Sequence, residues 1–234
     1  MQVRQGEGIR NLGKDESVLI SNEIYQQLND FLVPARKLGC SLILVCFFAT
    51  GCAFTRTETK LNLTGTVNAP LKSNPRAGLE LGEITDARSD SEKFVLAHKQ
   101  NDYGKTTGAY VTKGPVADIL RNGLAAALDR NGFFAKPGGY RLTGILESVE
   151  FTALTGVLKA TVESKFTARF ELIETKSGRI LWHDTFSGRA KDKTAWGTSA
   201  LVGELSSKAA EDLISKLLVD RSFREFFEPS TSSQ

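Results

Sequence analysis

Three cysteines near the amino terminus are the residues of this chain whose type and spacing first suggest chemistry. Cys40, Cys46 and Cys52 lie six residues apart, and no cysteine occurs from residue 53 to residue 234. A zinc site would require cysteines or histidines two to four residues apart, and a disulfide framework would require partners further along the chain. The pattern therefore predicts neither a metal site nor a disulfide.

An apolar run leads up to this cysteine. Residues 38–48 are apolar except for two small residues, and they follow the basic pair Arg36 and Lys37. As a helix this run is too short to cross a bilayer, which takes about 20 apolar residues. The small residues that a signal peptidase requires come next: Ala49, Thr50 and Gly51. We predict a cleaved signal peptide over residues 32–51. The alternative is a signal anchor or buried helix in which the cysteine is incidental.

The sequence "ATGC" at residues 49–52 resembles the lipobox of bacterial lipoproteins, with Ala49 where leucine is usual. In that family the cysteine thiol is diacylated, the chain is cut just before it, and the new amino group is usually acylated too. The resemblance therefore implies that the lipid bilayer is a partner, reached through acylated Cys52. Several acyl chains give a stable anchor at about 0.8 kcal/mol per buried methylene, whereas one chain is marginal.

The residue after the cysteine bears on the destination of the protein. In enterobacterial sorting an aspartate there retains a lipoprotein at the inner membrane, and this chain has Ala53. The resemblance therefore implies the periplasmic face of the outer membrane, with the inner membrane as the less favoured alternative.

Residues 1–31 precede the predicted signal. The chain has one methionine, Met1, and a start near Leu32 would give a signal of ordinary length. We predict that residues 1–31 are a gene-model extension. The alternative is a genuine short leader, since Ile20, Ile24 and Leu28 have helical spacing.

The composition of the chain is that of an ordinary globular protein. It has 234 residues, of which 24% are charged and 41% hydrophobic, and its net charge is +3. No basic stripe is interleaved with aromatic residues, so nucleic acid is not a predicted partner. Residues 52–75 are rich in threonine, asparagine and proline and predict an extended lipidated tether. We predict one domain over residues 76–228 and a frayed tail over 229–234.

Hydrophobic periodicity in this domain predicts an α+β fold. Strands are predicted at residues 78–88, 140–154, 160–172 and 180–190, and helices at residues 115–132 and 200–219. The phase of the second strand changes after Leu146, which predicts a bulge or bend. The expected architecture is an antiparallel four-stranded sheet with two helices packed on one face, in the order β-α-β-β-β-α.

The third predicted strand alternates most clearly. Its even positions are apolar or small, and its odd positions are polar or charged. Such a strand has one buried and one solvated face. The odd positions are therefore the candidate partner face: Glu163, Lys165, Thr167, Arg169 and Glu171.

Catalytic residues are not evident. The chain has two histidines, His98 and His183, and no glycine-rich phosphate loop. Strand alternation places His183 on the opposite face from both of its neighbours. Glu80 and Asp86 share a parity, and both are expected on the solvent face of the strand. We predict that the protein is not an enzyme and that it binds no cofactor or metal.

Asp86 and Arg88 stand at the end of the first predicted strand. The pair is expected to form a local salt bridge that closes a loop. If it is exposed, it adds at most about 1 kcal/mol.

Taken together, these features resemble the YajG-type family of bacterial lipoproteins. The shared features are the lipobox, Asp86-x-Arg88, a helix running into "NGFF" at 131–134, the long alternating strand, and a terminal helix followed by "FREFF" at 223–227 of "SFREFF". The family has no accepted catalytic residues, so none are transferred. The chain departs from the pattern in its leader and in its polar insert at 89–113.

The resemblance and the residues lead to two hypotheses. The first is a membrane-anchored lipoprotein that presents a non-catalytic periplasmic interaction domain to an unidentified envelope protein. The alternative is an auxiliary lipoprotein that binds or transports a lipid or glycan. The alternative requires an apolar pocket lined by Phe166, Phe170 and the helices.

Overall fold

A computed structural model of the chain describes residues 54–71, 75, 77–101, 103–155, 160–194 and 198–228. The predicted leader, the signal peptide and Cys52 lie outside these residues. Within the described part the elements follow one another as β1 (Thr55–Glu58), β2 (Gly78–Asp86), β3 (Val95–Gln100), β4 (Thr106–Val111), α1 (Val116–Arg130), β5 (Gly138–Thr155), β6 (Ala160–Glu174), β7 (Ile180–Thr194), α2 (Ser199–Val219) and α3 (Arg221–Arg224).

The larger of two sheets has the strand order β2-β5-β6-β7. The β5–β6 and β6–β7 pairs are antiparallel, as predicted, but β2 is parallel to β5. The prediction of a wholly antiparallel sheet is therefore wrong at β2. The physical reason is that α1 lies between these strands, and a helical crossover returns the chain in the same direction.

A second sheet has the order β1-β4-β3, with β1 parallel to β4 and β3 antiparallel to it. The prediction of a single four-stranded sheet missed it. Its strands come from the predicted tether and from the polar insert at 89–113. They are short, with four residues in β1 and six each in β3 and β4. Segments of this kind carry little periodicity, so pairing with distant residues decides their structure.

The core lies between the larger sheet and the helices. The even positions of β6 face it, and Phe166, Phe170 and Leu172 are completely buried there. A bulge in β5 between Leu146 and Ser148 changes the phase of that strand, as the sequence predicts. Helix α2 buries ten of its residues, and this continuous face explains its length of 21 residues. In the part of the chain that the structure describes, no helix has both the length and the apolar composition to cross a bilayer.

Residues 59–71, which we call the strap, run along α2 from its first turn toward its end. The Thr59 hydroxyl donates to the Ser199 carbonyl, and the Thr64 amide donates to Glu211 at 3.0 Å. Leu61 is buried in the same core as the helices. Residues 59–71, which the sequence predicts to be part of an extended tether, are packed against the helices in this structure.

Two helical glycines make room for the strap. A Cβ at Gly123 of α1 would lie 2.6 Å from the Leu63 Cβ, and a Cβ at Gly203 of α2 would lie 2.5 Å from the Lys60 carbonyl oxygen. Real Cβ atoms essentially never approach another non-bonded heavy atom this closely. A glycine inside a helix costs about 1 kcal/mol relative to alanine. Close approach of the strap is the physical reason for tolerating that cost.

We expect Gly203→Ala to lower the free energy of unfolding by about 2 kcal/mol, because the new methyl group collides with strap backbone. Without the strap, the same change would raise it by about 1 kcal/mol through helix propensity. Urea-induced unfolding followed by circular dichroism distinguishes the two signs. Glu204→Ala, at the exposed neighbouring position, is the control and should leave the stability nearly unchanged. A stabilising Gly203→Ala would contradict the packing of the strap against α2.

Candidate functional site

The face of the larger sheet that points away from the helices is the candidate interaction site, and we call it the open face. Its β6 residues are the odd positions predicted from the sequence, and they are half-buried or exposed while every even position from 162 to 172 is buried. Facing residues on β7 extend it: Thr185, Ser187, Arg189 and Lys191. The open face is therefore a polar surface several strands wide on a rigid sheet.

Charges on the open face are largely compensated by neighbours. Glu163 pairs with Lys191 at 3.1 Å, and Lys165 pairs with Glu150 at 3.4 Å. Arg169 and Glu171 are 3.8 Å apart. Pairs exposed in this way contribute little to stability. A mosaic of both signs suits hydrogen bonding to a polar protein surface better than it suits a polyanion, which would call for charges of one sign.

The Thr167 hydroxyl lies near the middle of the open face, 3.0 Å from the Ser187 hydroxyl. Both groups are uncharged and small. The centre of the face is thus less charged than its surroundings, which reduces the desolvation cost of covering it.

Helix α2 caps part of the outer edge of β7. The Arg189 amide donates to an Asp212 carboxylate oxygen at 2.9 Å, and the Lys216 ammonium donates to the Ser187 carbonyl at 2.8 Å. These backbone groups are consequently unavailable to an added strand. A partner reaching this part of the domain would contact the open face rather than extend the sheet.

Asp86 and Arg88 form an ion pair that is almost entirely buried. The guanidinium makes two bonds to the carboxylate, at 2.7 and 2.9 Å, and the exposed fractions of the two side chains are 9% for Arg88 and 4% for Asp86. Arg88 also donates to the Val95 carbonyl at 2.9 Å. The pair therefore joins the end of β2 to the start of β3 and closes the loop between them. The expectation that Asp86 faces solvent is therefore wrong, because Arg88 and the start of β3 cover its carboxylate.

The loop so closed carries a second, exposed pair. Lys93 lies 2.6 Å from Asp90. A hydrogen bond from Lys93, supported by its charge, lowers the pKa of Asp90 below its usual value, and the same bond raises the pKa of Lys93.

The other titratable residues singled out in the sequence do not converge. His98 contacts Glu92 at 3.0 Å, and His183 is exposed on β7 opposite Glu171. Glu80 pairs with Arg141 at 3.4 Å. Among the described residues, no group of three or more histidine, cysteine, aspartate or glutamate side chains is arranged to hold a metal ion.

Two residues that bind the strap, Asn131 and Arg224, were not predicted from the sequence to be functional. Asn131 is buried, and its side chain accepts from the Ala69 amide at 2.7 Å and donates to the Val67 carbonyl at 2.9 Å. Arg224 donates to the carbonyls of Ala69 and Pro70 at 2.9 and 2.8 Å. Asn131 belongs to the motif "NGFF" and Arg224 to the motif "FREFF". These two motifs were the only features noted in the sequence that pointed to the two residues.

Those two motifs meet in the structure. The rings of Phe133 and Phe223 stack with centroids 5.6 Å apart, and Phe133 meets Phe227 edge-on at 5.1 Å. The aromatic contact brings Asn131 and Arg224 to the same stretch of the strap. We name this arrangement the strap clamp: Asn131, Phe133, Phe223, Arg224 and Phe227.

The ligand pocket required by the carrier hypothesis is not seen at its expected lining. Phe166 and Phe170 have no exposed surface. A cleft or cavity wide enough for a water molecule would expose part of these rings. The helices and sheet are in direct contact there.

No protein-family model matches the chain, and no curated protein matches it by sequence. Among solved structures, it is similar to a DUF330-family protein from Xanthomonas campestris, with a TM-score of 0.51, 14% identity, and coverage of 70% of this chain and 92% of that one. This likeness shows a shared fold.

Other similar structures include proteins described as lipoproteins. A lipoprotein candidate from Caulobacter crescentus has a TM-score of 0.36, 19% identity, and coverage of 44% of this chain and 78% of that one. A minor lipoprotein from Acinetobacter baumannii has a TM-score of 0.31, 18% identity, and the same two coverages, 44% and 78%.

We expect Arg88→Met to lower the free energy of unfolding by about 3–5 kcal/mol, because it leaves the buried Asp86 carboxylate without its partner. Urea-induced unfolding measures the change. Lys93→Met, which breaks the exposed pair with Asp90 in the same loop, is the matched control and should have almost no effect. Equal effects of the two variants would contradict a structural role for the buried pair.

Proposed function

We propose that this chain is a bacterial lipoprotein, anchored through acylated Cys52 at the periplasmic face of the outer membrane, whose domain presents the open face to another envelope protein. The observation that carries the interaction role is the contrast between the two faces of the larger sheet. One face carries the buried core and packs against the helices, whereas the other is polar and faces solvent.

The proposed anchor rests on the sequence "ATGC" behind its apolar run, and the start of the fold is compatible with it. The folded unit begins at residue 54, directly after the proposed lipidation site. Cleavage before Cys52 would therefore remove the signal and leave every described element in the mature protein.

The YajG-type assignment belongs to the same proposal. Its short motifs have structural roles in this chain: Asp86 and Arg88 form the buried pair, and "NGFF" packs against "FREFF". Motifs that specify a fold are expected to recur in proteins of one family, whatever partner each of them binds. This supports the assignment without adding a catalytic role.

A non-catalytic role is supported by the engagement of the acidic candidates. Glu80 and Asp86 are each paired with an arginine, and neither is placed beside His98 or His183. General acid–base chemistry requires such groups within hydrogen-bond reach of a common point.

Intact mass spectrometry of the membrane-extracted protein tests the anchor. We expect a mature mass that begins at Cys52 and includes diacylglyceryl and acyl groups, recovered with outer membranes. The Cys52→Ala variant should lack the modification and leave the membrane fraction or retain its signal. An unmodified chain that keeps residues 1–51 would refute both the anchor and the proposed location.

Site-specific photo-crosslinking in cells tests the open face. A photoreactive residue at Arg169 should give one reproducible adduct of defined mass, because this side chain is exposed on the open face, two residues from Thr167. The same residue at Asn122, exposed on α1, is the control and should not give that adduct. Identical adducts at both positions, or none at either, would count against the open face as the docking surface.

A further inference from the structure

The end of the smaller sheet at which β1 begins also carries the hairpin between β3 and β4. Thr55 at the start of β1 lies beside Gly108 in parallel register, and Gln100 pairs with Thr106 across the hairpin. Asn101 and residues 103–105 of this hairpin therefore lie at the end of the sheet at which β1 begins.

The hairpin loop is ordered by its own hydrogen bonds. The Asn101 side-chain oxygen accepts from the amides of Tyr103 and Lys105 at 3.1 and 3.0 Å, and Gly104 has a φ of +73°. Tyr103 is nevertheless 88% exposed, and Phe54, at the entry to β1, is 53% exposed. Two aromatic side chains are thus held in solvent at one end of the sheet with no protein surface to cover them in the described part of the chain.

Basic residues accompany these rings. Arg56 and Lys105 are exposed, and the Lys99 ammonium lies 4.8 Å from the centre of the Tyr110 ring, beside the hydroxyls of Thr55 and Thr57. The sequence places a single acidic residue, Asp102, in this hairpin loop. The excess of positive charge is complementary to anionic lipid headgroups.

We propose that this end of the smaller sheet rests on the membrane surface, with Phe54 and Tyr103 in the lipid headgroup region. This rests on the proposed function, because acylated Cys52 stands two residues before Phe54, and two residues span at most about 7 Å. Tyrosine is enriched at membrane interfaces because its ring is apolar and its hydroxyl polar. The domain is then held in one orientation by the acyl anchor together with this contact surface: Phe54, Arg56, Lys99, Tyr103 and Lys105.

The cysteine content of the chain makes a direct test available. The mature protein would have no cysteine besides Cys52, whose acylated thiol does not react with maleimide. Tyr103→Cys therefore introduces a single labelling site. Val219→Cys is the matched control, because Val219 is also an exposed apolar residue. It is the last residue of α2, about 30 Å along the helix from Ser199. Ser199, at the start of α2, is hydrogen-bonded to Thr59, which directly follows β1.

Each acylated variant would be labelled with a nitrobenzoxadiazole fluorophore and reconstituted into phosphatidylethanolamine–phosphatidylglycerol vesicles containing lipids with a nitroxide near the headgroup. We expect quenching at position 103 to exceed that at position 219 by about twofold or more, and to fall when Phe54→Ser is added. Equal quenching at the two positions in protein whose mass confirms acylation would overturn this inference and leave the anchor intact. Protein found to be unacylated would overturn the anchor and this inference with it.

Discussion

Burial of the strap is the constraint on which the rest of the fold depends. An extended segment laid across helices cannot satisfy its amides and carbonyls as a strand does, and an unsatisfied buried group costs about 1–3 kcal/mol. The strap clamp supplies hydrogen-bond partners for these groups. Asn131 bonds to an amide and a carbonyl of the strap, and Arg224 donates to two strap carbonyls. The aromatic contact between Phe133 and Phe223 holds both polar side chains in register with the strap. The glycines of the helices then allow the close approach that completes the core.

Local patterns in the sequence were sufficient for elements that bury one regular face. The alternation of β6 and the apolar stripe of α2 predicted their type and their buried residues, and the phase change in β5 predicted its bulge. The strap does alternate: its odd positions from 61 to 71 are apolar or glycine and are buried or half-buried, while its even positions are exposed. This alternation was an available signal, but it could not show that the segment lies on α2 instead of pairing in a sheet. Distant partners such as Ser199 decide that for the strap, and Gly108 does so for β1. The parallel pairing of β2 was missed for a related reason, because it depends on where the chain returns after α1.

The candidate sites also combine features that local sequence patterns predict with features that depend on distant residues. Strand alternation identified the open face, since facing solvent is a local property of a strand. It could not show that Lys191 and Glu150 compensate its charges, because those residues lie on neighbouring strands. The Asp86–Arg88 pair was expected from adjacency, yet its burial follows from the loop and β3 folding over it. Burial changes its energetic meaning, because a buried pair costs far more to break than an exposed one.

Conversion of the predicted tether into the strap changes how a lipid-anchored form of this protein would work. A flexible linker of about 24 residues has an end-to-end distance of roughly 25–30 Å, and it would let the domain turn freely above the bilayer. Cys52 and Phe54 are two residues apart and thus separated by at most about 7 Å, so the domain would stay against the headgroups. The contact between the smaller sheet and the membrane would then set the orientation of the domain. The open face would stay within a short distance of the bilayer. A partner of the proposed lipoprotein should therefore expose its complementary surface close to the bilayer.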